Sequence, residues 1–153
     1  MMCDIDHFKS VNDSLGHAAG DDVLREVSRR LRNSVRSYDM VGRYGGEEFL
    51  VVLNKCDPAS AVHRAENLRQ AISSRPIHVA SSQLTVSISL GLALSSDFPR
   101  CDVEELLHHA DMALYAAKSA GRNCVRIAQP ESPDKKLDLP DLAPDEESPL
   151  LTS

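Results

Sequence analysis

No stretch of about 18 or more consecutive apolar residues occurs in this chain, and no signal-peptide pattern, so nothing in it reads as a membrane segment. A basic excess is missing as well. Lys and Arg number 17 against 23 Asp and Glu, a formal net charge of −6, and no basic stripe offers a nucleic-acid surface. Cysteines are few. Cys3, Cys56, Cys101 and Cys124 show no Cys-x-x-Cys and no metal-ligand spacing, which reads as reduced, mostly buried thiols of a cytoplasmic protein. That protein is either free-standing or the cytoplasmic part of a larger sensor. What remains is 153 residues with 42% hydrophobic content, enough for one domain with a core.

Composition divides the chain near its end. From Gln129 onward, "QPESPDKKLDLPDLAPDEESPLLTS" is rich in Pro, Asp, Glu and Ser and lacks aromatics. Such a segment buries too little surface to offset its ordering entropy, so residues 129–153 are expected to be a disordered acidic tail behind a domain over 1–128. Within the domain, "FKSVNDSL" reads as a short helix broken from Gly16 to Gly20. In "DDVLREVSRRLRNSV", Val23, Leu24, Val27, Leu31 and Val35 recur at helical spacing. "PASAVHRAENLRQAISS" reads as a helix with Pro58 in its first turn and Val62, Ala65, Leu68 and Ile72 inward. "QLTVSISLGLAL" alternates over Leu84, Val86, Ile88 and Leu90 as a strand does. "VEELLHHADMALYAAKSA" is a helix capped by Asp102 and ended by Gly121, with Met112, Leu114 and Tyr115 read as packing residues; "CVRI" is a last strand. The pattern β-α-α-β-β-α-β-β-α-β predicts an α+β fold, helices flanking a mainly antiparallel sheet.

"RYGGEEFLVV", residues 43–52, raises a chemical question. Gly45-Gly46 reads as a tight turn between strands over 39–44 and 48–53, glycine tolerating the positive φ a hairpin needs. Glu47-Glu48 are odd there, since adjacent carboxylates repel and strands disfavour glutamate. "CDID" places Asp4 and Asp6 at the end of the first strand. If the two strands are neighbours, Asp4 and Glu47 meet at one edge of the sheet. Clustered carboxylates are costly without a cation, and an all-oxygen set suits Mg²⁺ or Mn²⁺. Two such ions could activate a hydroxyl and stabilise a leaving phosphate; the alternative is a solvated acidic turn.

With "DIDHFKSVNDSLGHAAGDDVL", then "RYGGEEF", then "YAAKSAGRN", the chain resembles the GGDEF family of diguanylate cyclases, in register from about Met2 to Ile127. The resemblance implies a fold shared with class III nucleotide cyclases and polymerase palms. It implies condensation of two GTP into cyclic di-GMP with release of pyrophosphate, by a homodimer whose subunits each hold one GTP. It assigns metal ligation to Asp4, the Ile5 carbonyl and Glu47, help in deprotonating the attacking 3′-hydroxyl to Glu47, and support of the metal cluster to Glu48. Triphosphate contacts fall on Lys118 and Arg122, which otherwise read as cations near a helix C-terminus. Amides from Asp6 to Lys9 open a helix and suit phosphate, with Lys9 adding charge. Guanine falls to Asn12 and Asp21, with His17 in the same loop. A carboxylate accepts from both N1–H and N2–H₂ of guanine and faces adenine unpaired. Asp21 also reads as a helix N-cap, a role Asp22 could take instead.

"RSYD" sits where the family carries an RxxD product-inhibition site, which assigns Arg36 and Asp39 to cyclic di-GMP. The second arginine that often completes that site is replaced by Asn67, with Arg64 and Arg69 nearby, so weaker or altered product binding is expected. His108 and His109 are adjacent on a helix and make a poor metal pair. Family members carry a "DxLTGLxNRR"-like helix and a full first strand ahead of the DID segment. Here the first strand is expected to keep only about Met1 to Asp4 and to fray, as in a fragment, a mis-started frame or a degraded gene. An alternative to the active cyclase is therefore a non-catalytic module that binds GTP or cyclic di-GMP.

Overall fold

The computed structural model describes residues 1–79 and 82–130; residues 131–153 of the expected tail lie outside them. The elements are β1 (Met2–Ile5), α1 (Phe8–Leu15), α2 (His17–Asn33), β2 (Met40–Arg43), β3 (Glu48–Val52), α3 (Pro58–Ser73), β4 (Ile77–Val79), β5 (Ser82–Leu84), β6 (Ile88–Leu92), α4 (Val103–Ser119) and β7 (Val125–Ile127). Five strands form one sheet in the order β2-β3-β1-β6-β7, and β4 and β5 pair separately. Every pairing is antiparallel except β6 with β7, which is parallel because α4 carries the chain back across the sheet. The α+β fold expected from the pattern is the observed one, with one parallel pair added.

The apolar alternation of β1 sorts the helices onto two faces. Cys3 and Ile5 are fully buried in one cluster with Val23, Val27 and Leu31 of α2 and Ala65, Leu68 and Ile72 of α3. Met2 points the other way, into a smaller cluster with Ala110 and Leu114 of α4. β1 does not fray. It is the central strand, bonded to β3 and β6, and the pairing begins at Met1, whose amino group donates to the Val51 carbonyl (2.8 Å) and whose carbonyl accepts from the Val51 amide (2.9 Å).

Two boundaries and one burial assignment differ from the sequence reading. Only Gly16, at φ 83°, breaks the first helical segment; α2 already begins at His17, and Gly20 lies inside it. A Cβ on Gly20 would come 2.0 Å from Asn12 Oδ1, so that glycine lets α1 and α2 approach rather than ending a helix. "QLTVSISLGLAL" is two strands, since the chain leaves the β4–β5 pair at Leu84 and joins the main sheet at Ile88. Met112 and Tyr115 face outward, at 53% and 68% exposure; of the three expected packing residues Leu114 is the buried one. Of the cysteines, all free, Cys3 is buried and the other three are partly exposed.

Helix ends follow local chemistry. Asp57 accepts from the Ser60 amide ahead of Pro58, and Asp102 and Glu105 exchange side-chain and backbone bonds in a capping box. No helix among the described residues is long and apolar enough to cross a membrane.

Candidate active site

The close approach of α4 to the sheet sets the site. Gly91 of β6 lies under α4 so tightly that a Cβ there would stand 2.0 Å from the Ala110 carbonyl oxygen and 2.2 Å from the Leu114 amide. One helical turn beyond Leu114 comes Lys118, on the same face of α4. Its Nζ reaches Asp4 Oδ2 at 2.8 Å. Asp4 occupies the end of the central strand, opposite Glu48 of β3 and Ser89 of β6.

The β2–β3 hairpin brings the second carboxylate. The Ile5 amide donates to the Glu47 carbonyl (3.3 Å), which seats the hairpin tip beside the end of β1. Arg43 ties that tip by donating to the carbonyls of Gly45 (3.1 Å) and Gly46 (3.0 Å). Neither glycine adopts the positive φ expected of the turn. A Cβ on Gly45 would meet Glu48 Oε2 at 2.6 Å, the far end of a side chain that can turn aside.

Electrostatics mark the edge as strained in charge. Burial raises the Asp4 carboxyl above its usual range, against the hydrogen bond and charge of Lys118; the charge of Asp6 adds to the rise, and that of Arg122 opposes it. Burial likewise raises Glu47, and the charges of Asp4 and Glu48 push it further while Lys118 pulls it back. The structure thus brings Asp4, Glu47, Glu48, Lys118 and Arg122 to one edge. Among the described residues, no three or more His, Cys, Asp or Glu side chains gather to hold a metal ion by themselves. Two carboxylates and a carbonyl still fit Mg²⁺, which usually binds through one or two carboxylates, waters and substrate phosphates rather than a protein cage.

Asp6 is a different case. Its carboxylate is spent on Ser87 Oγ (2.6 Å), Ser89 Oγ (2.6 Å) and the Asn123 amide (3.0 Å). Its own amide donates to the Ser87 carbonyl (2.9 Å), which corrects the reading of four free amides. At the start of α1, His7 takes a left-handed conformation at φ 58° with no side-chain cap, and among the described residues the amides of His7, Phe8 and Lys9 meet no backbone carbonyl outside the helix. Lys9 is exposed beside them.

Asn12 of α1 leans on Gly20, the residue before Asp21, so these two candidate polar groups share the α1–α2 junction. Asp21 is exposed and lies within α2, so it caps no helix; the N-cap is Gly16. Asp22 is no cap either and pairs with Arg25 (2.6 Å). His17 opens α2 on the surface.

Away from this edge, Asp39 is the hub of a second cluster. Its side chain, 1% exposed, pairs with Arg64 of α3 (2.6 Å) and accepts from the amides of Arg36 and Asn54 (each 3.0 Å). Arg36 lies over the Tyr38 ring and donates to its hydroxyl (2.8 Å). Arg64 Nε is buried with no partner among the described residues. Asn67 turns instead to His63 Nδ1 (3.2 Å). The sequence reading passed over Arg64 as a partner, and over Gly91, Ser87, Ser89 and Asn123 altogether.

The profile described as "Diguanylate cyclase, GGDEF domain" matches residues 1–124. The chain belongs to the GGDEF family. This GGDEF domain is 39% identical to diguanylate cyclase A of Treponema denticola over 133 residues, which are 87% of the chain and 36% of that protein. It spans about a quarter to a third of the length of the curated relatives it matches. The GGDEF domain of YfiN (TpbB) from Pseudomonas aeruginosa superposes with a TM-score of 0.78 at 40% identity, covering 84% of this chain and 80% of that one. The GGDEF domain of DgcB from Caulobacter crescentus, solved in complex with c-di-GMP, gives 0.77 at 34% identity, covering 83% and 75%.

Proposed function

We propose that this GGDEF domain is a diguanylate cyclase, joining two GTP into cyclic di-GMP with release of pyrophosphate, as a homodimer in which each subunit presents one GTP. The observation that carries the reading is the edge where Asp4 and Glu47 repel each other and Lys118 and Arg122 offset them, on a chain whose relatives are diguanylate cyclases. A divalent ion, Mg²⁺ or Mn²⁺, held by Asp4, the Ile5 carbonyl and Glu47, supplies Lewis-acid charge for phosphoryl transfer.

The chain's own residues take the remaining roles. Lys118 and Arg122 bind the triphosphate, and the His7, Phe8 and Lys9 amides with the Lys9 ammonium receive a phosphate at the start of α1. Asp21 and Asn12 accept and donate along the guanine edge, with His17 beside them. Asp21 left unpaired against adenine penalises ATP by about 1–3 kcal/mol. Glu47, with Glu48 behind it, helps take the proton of the attacking 3′-hydroxyl.

Product binds at the second cluster. Arg36 presents a guanidinium fork to phosphate or guanine, and Arg64, on Asp39, supplies the arginine that position 67 lacks. The test is incubation with GTP and Mg²⁺, followed for pyrophosphate and cyclic di-GMP. Both products are expected from GTP and neither from ATP. Binding of GTP or cyclic di-GMP without turnover would replace the cyclase by a nucleotide-binding module.

A further inference from the structure

Asp6 is 5% exposed, and three donors from two distant parts of the chain converge on it. Ser87 precedes β6 and Ser89 lies within it, fully buried. Asn123 ends a turn whose three residues are all left-handed: Gly121 at φ 107°, Arg122 at 66° and Asn123 at 45°. Two consecutive non-glycine residues with positive φ persist only where surrounding bonds hold them. Here the holds are visible. The Asn123 amide donates to Asp6, Asn123 Oδ1 accepts from Arg69 (2.6 Å), and the Arg122 amide donates to the Ala117 carbonyl (3.1 Å). The turn follows directly on the last turn of α4, which carries Lys118.

We propose that Asp6 is a positioning residue for the phosphate end of the site: its carboxylate holds the Gly121–Asn123 turn so that Arg122 stands beside Asp4. The inference rests on the cyclase reading only in naming the ligand. With its oxygens bonded to Ser87, Ser89 and Asn123, Asp6 has no part in metal ligation, although it is two residues from Asp4 and identical in chemistry. Serine hydroxyls can turn to other acceptors, but the Asn123 amide has one direction. Asp6→Ala removes both carboxylate oxygens, so the Asn123 amide loses its acceptor.

The experiment is calorimetric titration of the full chain with GTP and with GMP in Mg²⁺, since the ratio of the two affinities isolates the contribution of the outer phosphates. Asp6→Ala is expected to lower the GTP-to-GMP preference at least tenfold, with GMP affinity unchanged. In an Arg122→Ala background the same change should do nothing more, because Asp6 acts through Arg122. Ser87→Ala, which removes one donor and leaves the carboxylate, provides a second perturbation should Asp6→Ala not fold. Its smaller drop should also vanish without Arg122. An unchanged ratio, or a drop of equal size in the Arg122→Ala background, overturns the proposal. Wild-type protein that binds GTP no better than GMP overturns the reading of the site beneath it.

Discussion

Gly91→Ala is the sharpest perturbation of the way this fold builds its site. The added Cβ would lie 2.0 Å from the Ala110 carbonyl, 2.2 Å from the Leu114 amide and 2.9 Å from the Ala113 carbonyl carbon, all backbone atoms that no rotamer change can move aside. Ordinary contact begins near 3.4 Å, so α4 must retreat from β6 by roughly 1 Å or more. Overpacking of this kind costs about 1–3 kcal/mol. For a domain of this size that lowers Tm by roughly 3–12 °C. The same shift carries Lys118 away from Asp4, stretching a 2.8 Å contact past hydrogen-bonding range. A misplacement of about 1 Å at such a site costs on the order of 10²-fold in turnover. Thermal melts and the pyrophosphate assay read both effects, with Gly42→Ala as control because nothing lies within 4 Å of a Cβ there. A Gly91→Ala protein that melts and turns over like wild type would refute the argument that close approach of α4 sets the site.

Glu47→Gln keeps shape and removes charge, so it should abolish turnover while leaving the metal-free melting temperature unchanged or higher. The sign follows from the raised proton affinity of Glu47: its ionised form is disfavoured by folding, so neutralising it relieves the fold. Arg64→Ala strips a buried carboxylate of its partner; melts should show a loss of about 3–5 kcal/mol or less, since the Arg36 and Asn54 amides still reach Asp39, and cyclic di-GMP binding should weaken without change in GTP binding. Glu26 is pulled down to about 2 from 4.5 by its hydrogen bonds to Arg29 and Arg30. A depressed carboxylate contributes stability that is present above about pH 4.5 and lost as pH falls toward 2. Glu26→Gln should therefore flatten the acid limb of the stability curve in that window.

Much of this was legible in the chain because it is local. The helix cap at Asp102, Pro58 in the first turn of α3 and the apolar face of α2 follow from spacing over a few residues, and the meeting of Asp4 with the hairpin follows from placing both at strand ends. What stayed hidden is long-range. Asp6 meets partners 81, 83 and 117 residues away, and Asp39 meets Arg64 across 25. No periodicity encodes such pairs. Gly91 sits in the middle of an alternating strand, where its lack of a side chain reads as a weakness until α4 is placed on it. The chain's change of sheet between Leu84 and Ile88 is equally invisible, since alternation continues through it while the hydrogen-bonding partner changes. Gly45 and Gly46 stand at the hairpin tip as the spacing predicts, but without the positive φ that glycine there suggests.

Where the cation binds decides the account most directly. Titrating Mn²⁺ into ¹⁵N-labelled protein with a non-hydrolysable GTP analogue should broaden amide signals centred on Asp4, Ile5 and Glu47, extending to Lys118 and Arg122. Mg²⁺ in excess should restore them, and Glu47→Gln should remove the effect. Broadening centred on another acidic surface, such as Glu104 and Asp111 of α4, with Asp4 and Glu47 untouched, would contradict it.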